Sequence, residues 1–247
     1  MRAVGLVTEY NPFHNGHLHH LRESLRVAGA DASVAVMSGH FLQRGEPAMV
    51  DKWVRTEMAL AAGIDLVFEL PFAFACNSAP HFAMGAVQTL DALGVVDSLC
   101  FGSEAGDLAQ LNKVATVLVE RQEEIESLTA TRLRDGVNYP VARSEVLVGL
   151  LPEVPAEILK SPNNILGIEY LKALYSTNSR IQPYTIKRLG AGYHDTDVKS
   201  EIASATGMRR MIAAGEEVES LLPQPCRKVL DEALRAGRSL DTVRLFV

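Results

Sequence analysis

Residues 9 to 17 read Glu9-Tyr10-Asn11-Pro12-Phe13-His14-Asn15-Gly16-His17, a run in which several residue types suited to phosphate chemistry coincide. Two imidazoles three positions apart at the opening of a helix point the same way. A helix N-terminus adds free N–H groups and the positive end of a dipole, together an anion site suited to a triphosphate. Neutral or cationic imidazoles aimed at phosphate oxygens stabilise charge that grows at an α-phosphorus under attack, by about 3 kcal/mol per preorganised donor. Pro12 fixes the turn before the helix, and Gly16 removes a Cβ where backbone must approach a ligand. An H-x-G-H match is expected only about 0.01 times by chance in such a chain. The competing readings are two structural histidines in a turn, or zinc on His14, His17, His19 and His20. Zinc is disfavoured because no Cys or carboxylate set completes it and a helix splits the four rings between faces.

A second group lies far along the chain, in Ile202-Ala203-Ser204-Ala205-Thr206-Gly207-Met208-Arg209. Hydroxyls of Ser204 and Thr206 at a helix start, with Arg209 about one turn on, suit β- and γ-phosphates or pyrophosphate. In isolation such a pattern is most simply an N-cap; beside the first motif it gains weight.

These groups act only if a scaffold holds them, and the hydrophobic pattern supplies one. Short apolar or β-branched runs at 3–8, 33–37, 66–70 and 98–102 read as strands, separated by helical patterns at 16–27, 51–62 and 82–93. Strands without polar alternation, joined by amphipathic helices, imply an α/β fold with a Rossmann-like parallel sheet covered by helices on both faces. Ligands then belong beyond the strand C-terminal ends. Further helices are expected at 108–128, 138–150, 164–175, 204–214 and 226–236, with a strand at 181–187. The charged stretch 120–126 reads as a solvated helix face. Residues 1–190 are expected to form the Rossmann-like core and 191–247 a mainly helical C-terminal segment.

The 247 residues are 47% hydrophobic with a net charge of −6, an ordinary globular balance that argues against a surface built throughout to hold nucleic acid. Residues 1–155 carry 11 basic and 19 acidic groups and 156–247 carry 13 and 11, so a polyanion contact favours the later part. Cys76, Cys100 and Cys226 lack metal or disulfide spacing and read as buried apolar residues. The N-terminus shows no export signal and no window is long enough to span a bilayer, so a cytoplasmic location without membrane contact is expected. The apolar ending Leu245-Phe246-Val247 reads as a cut edge, and a homo-oligomer is left open.

The motifs His14-Asn15-Gly16-His17 and Ser204 to Arg209 resemble the two signatures of the HIGH-type nucleotidyltransferase superfamily. A narrower resemblance runs through Val7-Thr8-Glu9-Tyr10-Asn11-Pro12-Phe13-His14-Asn15-Gly16-His17-Leu18, 37–47, Phe101-Gly102-Ser103-Glu104, 161–167 and Tyr193-His194-Asp195. In order, over nearly the whole chain, these segments are similar to the bacterial tRNA(Met) cytidine acetate ligase family. The resemblance implies that ATP and acetate give acetyl-adenylate and pyrophosphate, and that the acetyl group passes to N4 of the wobble cytidine of elongator tRNA(Met). It also implies that Val7 to His20, including His19, form the ATP loop, that Gly102 lies against the nucleotide, and that Asn163 or Asn164 and Arg188 complete its pocket. Family members usually continue into a further helical region beyond residue 247.

The residues agree with the first half of that scheme. Acetate is already an anion, so the difficulty is bringing it to another anion rather than making a nucleophile. His14, His17, Lys187, Arg188 and Arg209 are the groups available for shielding, with His14, His17 and Arg209 assigned to catalysis. Mg²⁺ is expected with the phosphates, although no carboxylate cluster marks protein ligands for it. Trp53 reads as packing in preference to a ring that stacks on a base, Ser38-Gly39-His40 as an acetate-pocket wall or an ordinary turn, and His81 as a residue at a helix start. His194-Asp195 reads as a surface turn or an acid–base pair for the cytidine amino group. A small-molecule adenylyltransferase and a non-catalytic nucleotide-binding tRNA adaptor are the rival functions.

Overall fold

The computed structural model describes residues 1–188 and 205–240. Five strands form one all-parallel sheet: β1 (Ala3–Thr8), β2 (Ala32–Ser38), β3 (Leu66–Leu70), β4 (Ser98–Ser103) and β5 (Gln182–Lys187), in the order β3-β2-β1-β4-β5. β1 lies at the centre, paired with β2 from Ala3↔Ala32 to Thr8↔Met37 and with β4 at Val4↔Ser98 and Gly5↔Leu99. Its near-continuous burial explains why it reads as an unbroken apolar run rather than an alternating one.

Helices cover both faces, as expected. On one face α4 (Ala79–Ala92), α5 (Leu108–Glu120) and α8 (Pro162–Ser176) bury Phe82, Leu90, Leu111, Val114 and Leu171 against Val34, Val36, Leu99 and Phe101. α6 (Gln122–Arg134) and α7 (Tyr139–Leu150) extend that layer through Ile125 and Leu147. On the other face α1 (Asn15–Ala28), α2 (Lys52–Ala61), α9 (Ala205–Ala213) and α10 (Gln224–Arg235) enclose Val4, Leu6, Ala35, Met37 and Cys100. Each fully buried Leu-sized side chain contributes about 1.5–3 kcal/mol.

The late helices are seated directly on the early ones. Met208, Leu222, Cys226 and Leu230 share the core of β1 and α1. Cys226 Sγ donates to the Met58 carbonyl at 3.2 Å, and the Arg238 guanidinium donates to both Asp51 oxygens at 3.0 and 3.1 Å. Among the described residues no helix is long and apolar enough to cross a membrane.

Several expectations need correction. The helix expected over 108–128 is two helices meeting at Arg121, because α5 turns Leu111, Val114, Ala115 and Leu118 to the core whereas α6 buries only Ile125 and Thr129. A short helix, α3 (Phe72–Ala75), precedes α4, which starts at Ala79 with Pro80 in its first turn. Trp53 is not packed: it is 67% exposed, with the Lys52 ammonium 5.2 Å from its ring centroid. Cys100 and Cys226 are buried but Cys76 only partly so.

Candidate active site

The chain leaves β1 toward β2 and β3, then crosses back to place β4 on the other side of β1. That reversal opens a crevice beyond the C-terminal ends of β1 and β4. The loop from β1 carries the histidine motif, and β4 ends at Ser103 with Glu104 opening the loop that follows.

His14 is the N-cap of α1, in extended conformation at φ −143°. Its Nδ1 accepts from the Gly16 N–H at 3.0 Å, and the N–H of His14 itself donates to His17 Nδ1 at 3.2 Å, a reciprocal capping box built from two imidazoles. Because both Nδ1 atoms accept, each neutral ring carries its proton on Nε2 and is a donor there. The rings stack with centroids 3.7 Å apart and planes 26° from parallel. His17 also rests on Tyr10 and Phe13, at 4.9 and 5.5 Å between centroids. Burial, reinforced by Arg188, pushes His14 down to about 4. His17 is driven well below the ordinary imidazole value by burial and then by His14, His20 and Arg188. Both rings are therefore neutral at pH 7, which resolves the choice left open by the sequence and removes them from the cationic shield.

One turn further, His20 is lowered to about 4 by burial and then by Arg188, and its buried Nε2 has no partner. A Cβ on Gly102 would meet Arg188 Cγ at 3.0 Å and His20 Cδ2 at 3.8 Å, so the missing side chain lets Arg188 cross the end of β4 toward the histidines. Arg188 is anchored by its own N–H to the Ser103 carbonyl at 2.9 Å. On the opposite wall Arg209 donates to the Asn11 carbonyl at 2.9 Å and to Thr206 Oγ1 at 3.2 Å.

The β1 loop is held from beneath by Arg55, a residue that sequence reasoning passed over. Its side chain is 0% exposed and donates to four carbonyls: Glu9 at 2.6 Å, Ser38 at 3.1 Å, Val50 at 3.3 Å, and Gly39. Burial lowers it to about 10, against the opposing pull of Glu9, Asp51 and Glu69, so it remains a cation. Glu9 accepts from the Gln43 N–H at 2.7 Å through Oε1. Its carboxyl is raised by burial, with the Gln43 hydrogen bond and then Arg55, Arg44 and Arg209 opposing.

The structure thus brings together His14, His17, His20, Gly102 and Arg188, and sets Arg209 and Thr206 against Asn11. Other residues of the expected loop are scaffold: Tyr10 and Phe13 are core, Leu18 packs on that core, Val7 packs on the other face, and Asn15 Nδ2 donates to the Ser220 carbonyl at 2.8 Å. Thr8 Oγ1 and Asn11 Nδ2 are buried without partners. Asn163 and Asn164 serve as struts. Glu104 accepts from the Asn163 N–H at 3.2 Å, its Nδ2 at 2.6 Å and the Asn164 N–H at 2.8 Å, while Asn164 Oδ1 accepts from the Ala105 N–H at 3.0 Å. Burial raises Glu104, but these donors outweigh it and hold the carboxyl below its ordinary value. Lys187 ends β5 at the surface, against Gly106. Ser204 and Tyr193-His194-Asp195 lie outside the described residues. His81 lies in the first turn of α4 with Nδ1 3.1 Å from Ser78 Oγ. Among the described residues, no three His, Cys, Asp or Glu side chains cluster so as to hold a metal ion.

The family model described as HIGH Nucleotidyl Transferase matches residues 1–246. A tRNA(Met) cytidine acetate ligase from Syntrophotalea carbinolica is 62% identical over 240 residues, which cover 96% of this chain and 57% of that protein. One from Alkaliphilus metalliredigens is 54% identical over 220 residues, covering 85% of this chain and 52% of that protein. The crystal structure of Thermotoga maritima TmcAL bound with alpha-thio ATP superposes with a TM-score of 0.88 at 39% identity, covering 97% of this chain and 57% of that one. The chain thus spans little more than half the length of these relatives.

Proposed function

Since the chain belongs to the HIGH nucleotidyl transferase family, we propose that it activates acetate with ATP as acetyl-adenylate and passes the acetyl group to N4 of the wobble cytidine of elongator tRNA(Met). The observation that carries the reading is the stacked His14–His17 pair, whose Nδ1 atoms are both occupied so that two Nε2–H donors are fixed at a helix N-terminus. The ligase names of the relatives, and the ATP analogue in the Thermotoga maritima structure, support the choice of substrates.

In the first step an acetate oxygen attacks the α-phosphorus, a new P–O bond forms, and the bond to the β-phosphate breaks with pyrophosphate leaving. No base is needed, because acetate is ionised at pH 7. His14 and His17 donate through Nε2 to the α-phosphate oxygens, where charge grows. Being neutral they attract less than imidazolium would, so the net positive field comes from Arg188 and Arg209, with Lys187 at the rim. Thr206 and Arg209, with Ser204 beside them in sequence, take the β- and γ-phosphates. Asn163 and Asn164 act through Glu104 and Ala105, holding the β4 loop under the nucleotide.

Mg²⁺ is proposed only as a companion of the triphosphate. The donor set among the described residues offers it no protein cage.

Acetate-dependent exchange of pyrophosphate into ATP, without tRNA, tests the reading. Exchange that requires acetate is the expected result. ATP binding without such exchange would refute it in favour of an adenylyltransferase or a nucleotide-binding adaptor.

A further inference from the structure

We propose that Glu9 is the base that takes the N4 proton of the acceptor cytidine in the second half-reaction, an assignment that rests on the acetate-ligase reading above. Transfer needs such a base. N4 attacks the acetyl carbon and a C–N bond forms; the C–O bond to the adenylate phosphate breaks with AMP keeping the electron pair; the N4 proton must go to an acceptor at the site. Here it passes to Glu9 Oε2 and then to solvent.

The other titratable groups around the crevice are unsuited by their geometry. His14 and His17 have spent their Nδ1 lone pairs on backbone N–H groups and present only N–H. His20 Nε2 is walled in, out of reach of a substrate. Both oxygens of Glu104 are taken by Asn163 and Asn164. His40 is exposed on the loop after β2, and no hydrogen bond among the described residues directs its ring. Glu9 differs from all of these. It leaves the C-terminal end of β1, next to the switch between β1 and β4, and is only partly buried. Gln43 fixes Oε1 at 2.7 Å, whereas Oε2 has no hydrogen bond among the described residues and is not sealed from solvent. Arg55 pins the backbone carbonyl of the same residue at 2.6 Å, so the carboxylate has one oriented oxygen and one open oxygen.

The charged and titratable groups acting on Glu9 are Arg55 from α2, Arg44 from the loop after β2, Arg209 from α9, and the Tyr170 phenol from α8. Burial outweighs the Gln43 hydrogen bond and the three guanidiniums and raises its proton affinity above that of a free carboxylate, the direction a proton acceptor needs.

The test uses the full chain with ATP, labelled acetate and transcribed elongator tRNA(Met), measuring exchange and acetyl transfer side by side. Glu9→Gln keeps an acceptor for the Gln43 N–H and removes the base. It is expected to slow transfer by about a hundredfold or more, and at least ten times more severely than it slows exchange. Glu9→Asp is expected to fall between, and single-turnover transfer by the parent chain to slow on acidification. Glu46, a half-buried carboxylate on the same loop as Gln43 whose charge acts on Arg209, is the comparison: equal losses in the two assays, unimpaired transfer, or a selective loss in Glu46→Gln instead would each overturn the assignment. If Glu9→Gln fails to fold, a pH-independent transfer rate in the parent overturns the assignment. Absence of acetate-dependent exchange in the parent refutes the underlying reading instead.

Discussion

Replacing His14 by Asn separates the two duties its imidazole combines. Asn is among the best N-cap residues, so the Gly16 N–H keeps an acceptor, whereas His14→Ala loses the cap at about 1 kcal/mol. Both variants lose the stacked contact with His17, whose centroid lies 3.7 Å away, a contact worth about 1 kcal/mol. For a chain of this length the extra cap loss in the alanine variant lowers Tm by a further 2–4 °C or thereabouts, roughly the shift per kcal/mol. The catalytic loss is larger and shared. Under the proposed mechanism each variant lacks one fixed Nε2–H donor to the α-phosphate, about 2.7–4 kcal/mol, so acetate-dependent exchange should fall by about 10²–10³ in both. Calorimetry and exchange on the same preparations check the pattern: two proteins of different stability and equally low activity. A His14→Asn protein within about threefold of the parent in exchange would refute the role given to the ring.

Acidification should destabilise the fold between pH 6.5 and about 4. His14 and His20 bind protons near 6.5 when unfolded but only near 4 when folded, so the unfolded chain takes up more protons in that window. Stability is then fully present above pH 6.5 and is lost on descent at up to about 1.4 kcal/mol per pH unit for each ring. The raised Glu9 carboxyl opposes this from its unfolded value upward, and urea midpoints measured from pH 7 to 5 should fall on balance. Arg55→Lys cannot serve four carbonyls and should lower stability by about 3 kcal/mol or more, read from the urea midpoint; a loss under about 1 kcal/mol would contradict the bracing described for it. Gly102→Ala should raise the KM for ATP severalfold while Tm changes little, because the added Cβ, 3.0 Å from Arg188 Cγ, meets a flexible side chain rather than backbone; an unchanged KM would detach Arg188 from the nucleotide.

The expected spans 3–8 and 66–70 coincide with β1 and β3: β1 was legible because it is buried on both faces, whereas β3, an edge strand in which only Leu70 is buried, was legible from its short apolar run bounded by Asp65 and Pro71. The histidine motif was legible for a different reason, since its capping geometry is local and every partner lies within three residues. Features built from distant partners were not. Arg55 reads as an ordinary helix charge because its carbonyl partners are contributed by the loop after β1, by β2 and by the loop before α2. The strut role of Asn163 and Asn164 depends on Glu104, 59 and 60 positions away. The break at Arg121 was hidden because the apolar period runs through it while the packing partner changes. The neutrality of the histidines follows from burial and from Arg188, and no spacing rule reports either.

The lashing of the two ends of the chain also sets a timetable for synthesis. Arg209 reaches Asn11 across 198 positions and Asn15 reaches Ser220 across 205. Loop-closure entropy grows only logarithmically with such distances, so the contacts cost little more than shorter ones would. Their order of arrival is another matter. A ribosome that has already delivered the whole sheet, histidines included, has yet to deliver the guanidinium that faces them. The nascent polypeptide therefore holds the histidine wall of the crevice without the wall of Thr206 and Arg209 until α9 emerges, and the two can meet only after residue 209 has been made.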